Sequence, residues 1–309
     1  MVENDASPQV RHVRVGPDRA GQRLDNFLMS VLGSVPRGLV YRLVRTGQVR
    51  INGSRAKPMK KLRAGDQVRI PPVRLDPPDK ASLPAGLVEE VRSRILEQTS
   101  DYVVLDKPSG LAMHGGSGLS YGLMDAIATI NSDWRPVHRL DRPTSGLLVL
   151  ACHHQALVAL QKAFSQRRVA KRYLALLCGR LAEENILVDR PLKKIRDGSG
   201  QRRIVVADDG QSARSRFRVL ERLGDFSFVE VEIETGRTHQ IRAHAAWMNH
   251  PVAGDELYND QVDPPGLKRL FLHAHYLRLS WPEDHVISSP LPGPLSEVLD
   301  GLRATNHQS

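Results

Sequence analysis

Five prolines fall in one short stretch, at Pro71, Pro72, Pro77, Pro78 and Pro84, interspersed with charged residues. Proline fixes its own φ and donates no backbone hydrogen bond, so such a stretch cannot continue a helix or a central strand. It reads as an extended linker. The two sides of it differ in charge. Residues 10–72 hold 14 Lys/Arg against 3 Asp/Glu, a net of +11, while the whole 309-residue chain carries +10, so the rest sums to −1. A strongly basic unit joined to a near-neutral body points to a polyanionic partner. The expected layout is a flexible N-terminus over 1–17, a basic domain over 18–72, a linker over 73–90, a larger domain over 91–295 and a C-terminal tail over 296–309.

Within the basic unit, Leu24, Phe27, Leu28 and Val31 recur at helical spacing, which predicts a helix over 23–33. A second helix over 37–45 would bury Leu39, Val40, Leu43 and Val44, and Gly47 would stop it. Its other face carries Arg37, Tyr41, Arg42 and Arg45. Val49-Arg50-Ile51 followed by Asn52-Gly53 signals a tight hairpin turn. In the longer unit, Phe226 to Glu234 alternates as a strand does, with Val229, Val231 and Ile233 on one side and three glutamates on a face expected to be solvated. Strands outnumber helices and do not alternate strictly with them. The fold class is therefore α+β, with a small α/β domain ahead of a larger mixed-sheet domain.

One segment bears on chemistry. His138-Arg139-Leu140-Asp141-Arg142-Pro143-Thr144-Ser145-Gly146 sets a carboxylate between two arginines and runs directly into the apolar Leu147–Ala151. Nearby positive charge favours the charged form of a carboxyl group, and a carboxylate at the mouth of a buried strand can serve as a nucleophile. An ordinary structural ion pair gives the same local string.

HRLDRPTSGLLVLA resembles the signature of the RluA-type pseudouridine synthases, which isomerise uridine to pseudouridine in RNA. Leu105–Leu111 resembles the family's earlier loop, Lys171–Ala175 its tyrosine segment, and Thr235–Arg242 its arginine segment. The matches fall in the family's order between about residues 100 and 280. Residues 21–70 resemble the S-four-type RNA-binding domain. QVRINGSRAKPMKKLRAGDQVRIPPVR and HGGSGLSYG are most similar to the branch that acts on 23S, large-subunit ribosomal RNA.

The resemblance implies a mixed, mainly antiparallel-sheet catalytic domain, and a reaction that needs no cofactor and no metal. It assigns Asp141 as nucleophile, Arg237 as its charge partner, and Tyr173 as the residue that stacks on the target base and helps remove the C5 proton. His138, Arg139, Arg142, Thr144, Gly146 and Lys107 are expected around the substrate. A base inside a stem must be extruded to reach a nucleophile, and Arg139 is a candidate to fill the gap it leaves. Arg37, Arg42, Arg45, Lys57 and Lys60 are candidates for phosphate contacts. The expected partner is RNA, the expected state a monomer.

Three other readings stay open. His239, His244 and His250 invite a metal hydrolase, but His239 and His244 lie five residues apart, about 140° around a helix, whereas metal pairs favour i, i+4. A two-carboxylate glycosidase lacks a second acid in a comparable loop. A non-catalytic RNA-binding or ribosome-assembly protein fits the basic unit equally well. Two cysteines, Cys152 and Cys178, with no Cys-x-x-Cys spacing argue against a disulfide framework or zinc ribbon. The N-terminus MVENDASPQV lacks a secretory apolar core, and no apolar run approaches 18 residues, so a cytoplasmic protein away from the membrane is expected.

Overall fold

The computed structural model describes residues 9–33, 35, 37–73, 83–115, 120–198 and 200–306. The chain divides into two compact units, Met1–Ser82 and Leu83–Ser309.

The first unit contains β1 (Arg11–Arg14), α1 (Leu24–Leu32), α2 (Arg37–Arg45), β2 (Arg50–Ile51), β3 (Ser54–Arg55) and β4 (Gln67–Ile70), besides one short 3₁₀ turn. Its sheet order is β1-β4-β2-β3. Leu24, Phe27 and Leu28 from α1 and Val40, Leu43 and Val44 from α2 meet Val49, Val68 and Ile70 in one core. The Asn52-Gly53 turn closes the hairpin with φ of 47° and 80°, the left-handed pair that such a turn requires. The expected loose N-terminus is corrected here: Arg11–Arg14 is an edge strand paired with β4. Its charged residues surround a single Val13, which is how short edge strands avoid aggregation and why the segment carries no strand pattern.

The second unit contains α3 (Leu87–Ser93), β5 (Ile95–Gln98), β6 (Tyr102–Lys107), α4 (Leu123–Ile130), β7 (Arg135–Pro136), β8 (Ser145–Ala151), α5 (His154–Ser165), β9 (Ala170–Cys178), β10 (Asn185–Asp189), β11 (Leu192–Arg196), β12 (Arg202–Val206), β13 (Arg214–Leu223), β14 (Phe226–Ile233), α6 (Gln240–Trp247), β15 (Leu272–Ser280), β16 (Asp284–Ser288) and α7 (Gly293–Asn306). The main sheet runs β10-β13-β14-β9-β15-β8-β6-β5, with β16 on β15 and β7 on β8. Its pairings are antiparallel except β15 with β8. Strands β11 and β12 form a separate hairpin. The architecture agrees with the mixed, mainly antiparallel domain expected.

Two boundaries differ from the sequence layout. Leu83, Leu87 and Val91 pack into the core of the second unit, so that unit begins before residue 91. The expected C-terminal tail is mostly helix: Leu295, Val298 and Leu299 are buried against β9 and β14 residues, and Leu302 packs beside them. That i, i+3, i+4, i+7 pattern was present in the sequence.

The sheet is buried on both faces. Leu148 and Leu150 of β8 join one core with Tyr173, Ala175, Val229 and Val231. Leu147 and Val149 join another beneath α5. All seven residues of β8 are buried, which explains its unbroken apolar run. Glu230 on the far side of β14 is not a freely solvated acid. It accepts from Arg218 at 3.0 Å and pairs with His275 at 3.1 Å. Among the described residues no helix is long and apolar enough to cross a membrane.

Candidate active site

Asp141 sits in the tight turn that enters β8, where the Thr144 amide donates to the Asp141 carbonyl at 3.2 Å. The turn is stitched to the loop after β6. The Gly110 amide donates to the Arg142 carbonyl at 2.9 Å, and Ser109 Oγ donates to the Pro143 carbonyl at 2.6 Å. Lys107 Nζ donates to the carbonyls of Pro108 and Leu111 at 2.8 Å and of Arg142 at 3.2 Å. Lys107 is fully buried, and that burial pushes its amine down to about 7.

These contacts correct part of the expected substrate shell. Lys107 is sealed beneath the turn, whereas Arg142 donates its Nε to the Gly110 carbonyl at 3.0 Å but stays exposed and remains a candidate for substrate contact. Both brace the turn that carries Asp141. His138 is also structural. Its ring stacks on Phe164 with centroids 4.8 Å apart, and its Nε2 accepts from the Val149 amide at 3.1 Å. Burial pushes it down to about 3, with the Lys171 charge acting in the same direction. Gly146 lies at φ 112°, and a Cβ there would stand 2.3 Å from the Ala274 carbonyl oxygen. It lets β8 and β15 approach and does not face the pocket.

The pocket in front of Asp141 is lined by Arg139, Thr144, Tyr173, Arg237, His239 and Arg242, among others. Five expected residues, Asp141, Tyr173, Arg237, Arg139 and Thr144, therefore line one pocket. Tyr173 projects from β9 and is buried, and its phenol is pushed up, first by that burial and then by the Asp141 charge. A phenol so placed is a neutral flat ring, suited to stacking and unsuited to acting as a base by itself.

The expected pairing of Arg237 with Asp141 is corrected. Arg237 is exposed and donates its Nε to the Ser212 carbonyl at 3.0 Å. The charge facing the carboxylate is Arg242, whose Nη1 lies 3.7 Å from Asp141 Oδ2. Helix α6 begins only at Gln240, so Arg242 enters on its first turn while Arg237 stays in the loop before it. Gln240 pins that loop: its Oε1 accepts from Thr235 Oγ1 at 2.7 Å and from the Arg237 amide at 3.1 Å.

Arg242 is itself clamped. Nε and Nη2 each donate to buried Asp255 at 2.6 Å, and the Tyr258 ring lies 5.1 Å from the guanidinium carbon. Although burial alone would lower the Arg242 pKa, its hydrogen bonds and charge pairing with Asp255 raise it. His239, in the left-handed region at φ 53°, places Nε2 3.9 Å from Asp141 Oδ2. Its Nδ1 lies 3.0 Å from Tyr258 Oη, which also accepts from the Ile204 amide at 2.9 Å. With that amide donating to the oxygen, the phenolic proton is free to point at Nδ1, an arrangement that would leave the imidazole proton on Nε2, toward Asp141. Burial lowers the His239 pKa, partly opposed by Asp141. Arg242, Asp255, His239 and Tyr258 were not singled out from the sequence as members of this site. Arg242 and His239 both lie within the Thr235–Arg242 motif, His239 immediately before α6 and Arg242 on its first turn. No pattern announced Asp255 or Tyr258.

The sequence matches the RNA pseudouridylate synthase family over residues 101–247 and the S4 domain over 22–68. Ribosomal large subunit pseudouridine synthase C of Haemophilus ducreyi is 41% identical, over 98% of this chain and 98% of that protein. The chain belongs to the RNA pseudouridylate synthase family. The protein of the same name from Pasteurella multocida is 40% identical over 95% of this chain and 94% of its own length. Among solved structures, Human RNA Pseudouridylate Synthase Domain Containing 4 superposes with a TM-score of 0.59 at 26% identity, covering 70% of this chain and 95% of that one. Human RNA Pseudouridylate Synthase Domain Containing 1 gives 0.58 at 26% identity, covering 72% and 98%. The pocket at Asp141 is thus in an isomerase that acts on uridine in RNA.

In the first unit, Arg42, Arg45, Arg55 and Lys57 line a groove of about 470 Å³ with Tyr41, and Lys57, Lys60 and Arg63 line a second of about 660 Å³. The expected phosphate-binding residues Arg42, Arg45, Lys57 and Lys60 are exposed there. The side chain of Arg37 lies outside the described residues. Among the described residues no group of three or more His, Cys, Asp or Glu side chains is arranged to hold a metal ion. His244, one of the histidines that invited a metal reading, has its nitrogens against Ser215 Oγ at 2.9 Å and the Arg190 carbonyl at 3.0 Å.

Proposed function

We propose that this protein converts specific uridines of large-subunit ribosomal RNA to pseudouridine in the cytoplasm, as a monomer and without cofactor or metal, with Asp141 as the nucleophile. The observation that carries the reading is Asp141 itself. It is a part-buried carboxylate at the mouth of β8, facing Arg242 at 3.7 Å in a pocket it shares with Tyr173.

The chemistry conserves every atom. The bond from the sugar C1′ to uracil N1 breaks, the uracil turns, a C1′–C5 bond forms, and the proton on C5 leaves as N1 gains one. Asp141 acts at the sugar, where positive charge develops as N1 departs. Tyr173 offers its ring to the uracil, holding it in the pocket while it is detached. Arg139, exposed at the pocket edge, is placed to contact the backbone of an extruded nucleotide. The S4 unit supplies phosphate contacts through Arg42, Arg45, Lys57 and Lys60.

The test is a pseudouridine map of ribosomal RNA from three strains: wild type, one lacking the gene and one carrying Asp141→Ala. The same large-subunit positions should be lost in both altered strains. An unchanged map, together with no product when the pure protein meets unmodified ribosomal RNA, would remove the assignment.

A further inference from the structure

Gly254 to Tyr258 form one short turn, and two of its side chains, Asp255 and Tyr258, hold groups that face Asp141. Asp255 is fully buried and binds Arg242 through two hydrogen bonds of 2.6 Å. Its Oδ1 also accepts from the amides of Leu257 at 3.0 Å and Tyr258 at 3.2 Å, so the same carboxylate shapes the turn. Tyr258 then lays its ring beside the Arg242 guanidinium and sets its hydroxyl against His239 Nδ1. Gly254 makes the turn possible. It sits at φ 72°, and a Cβ there would lie 2.2 Å from the Arg269 carbonyl oxygen.

We propose that this turn is a positioning device for the nucleophile, in which Asp255 fixes Arg242 and Tyr258 fixes the tautomer of His239, leaving the Asp141 carboxylate oxygens attended by charge but, among the described residues, free of hydrogen bonds. The distances carry the argument. Arg242 spends its two shortest bonds on Asp255, while its approach to Asp141 stops at 3.7 Å and that of His239 at 3.9 Å, both beyond hydrogen-bond reach. An arginine fork engaged with the nucleophile would occupy the lone pairs the reaction needs. Asp255 draws the fork away and keeps one edge of it toward Asp141. Neither Asp255 nor Tyr258 lines the pocket, so both act through the residues they hold.

The proposal rests on Asp141 being the nucleophile, and the test separates the two. Asp255→Asn keeps an oxygen for the Leu257 and Tyr258 amides but loses the charge and one acceptor for Arg242. Turnover at saturating RNA should fall about tenfold to a hundredfold, as expected when a reacting group is displaced by an ångström. Affinity for the RNA should change less than about twofold, because the phosphate contacts are untouched. Asp255→Glu, which restores the carboxylate, should recover part of the lost turnover. An Asn variant as fast as wild type, or a loss confined to RNA affinity, would overturn the role of Asp255.

A second readout needs no catalysis and no Asp255 variant. Nitrogen-15 NMR of the imidazole rings at neutral pH should show His239 as the Nε2–H tautomer in the wild type and as a mixture in Tyr258→Phe. A wild-type Nδ1–H tautomer, or no change on losing the hydroxyl, would overturn the proposal even if Asp255→Asn fails to fold. A wild type that isomerises no uridine would count against the Asp141 assignment instead, with the NMR result still deciding the positioning.

Discussion

Two arginines five residues apart have different fates. Arg237 stays in an exposed loop, and Arg242 turns inward to face Asp141. Replacing Arg237 with Met should therefore leave turnover within about threefold and show its effect in KM; a collapse of kcat with KM unchanged would return Arg237 to the reacting centre. Sequence alone located the motif but could not choose between its arginines, because the choice depends on where α6 starts. Asp141 and Tyr173 were legible because each sits in a strand-entry or strand pattern with a distinctive string around it. Asp255 and Tyr258 were not, since a short turn has no periodicity to read. His138 carries a stability prediction. Its folded-state value near 3 lies below the usual histidine value near 6.5, and His273, pushed down to about 4 by burial, behaves likewise. Below pH 6.5 the unfolded chain takes up protons that the folded chain refuses. The contribution is complete above that pH and is lost as pH falls toward 4 and then 3. Urea midpoints measured from pH 7 to pH 4.5 should decline, and His138→Gln, which keeps an acceptor for the Val149 amide, should decline less steeply.

At the scale of elements, pattern served well where one face meets a core. α1, α2 and β14 lie within a residue or two of their expected bounds because their apolar residues repeat at 3.6 or 2. β1 escaped notice because an edge strand with one apolar residue has nothing to alternate. α7 differs, since its apolar stripe of Leu295, Val298, Leu299 and Leu302 is readable in the sequence. At the contact between β8 and β15, Gly146 is both at positive φ and pressed against the Ala274 backbone. Gly146→Ala should cost about 2 to 4 kcal/mol, the sum of overpacking and backbone strain. Equilibrium unfolding in denaturant would measure it, and a loss below about 0.5 kcal/mol would mean that the strands can part without penalty.

For the molecule as a whole, charge was the clearest signal in the sequence. The excess of +11 over residues 10–72 is spent largely on exposed side chains, including those around the two grooves of the first unit. Changing Arg42, Arg45, Lys57 and Lys60 together to Gln in the full chain should shrink the slope of log affinity against log salt by about 3, the release expected from four lost phosphate contacts. An unaltered slope in a binding titration would place the RNA elsewhere. The order of the main sheet has its own consequence. Asp141 enters on β8 and Tyr173 on β9, yet these strands are not neighbours; β15, formed by residues 272–280, lies between them. The strand that joins them is supplied by residues 272–280, far after both in chain order. A growing polypeptide can carry Asp141, Tyr173 and Arg242 and still have no pocket. The pocket is complete only once β15 has taken its place between β8 and β9.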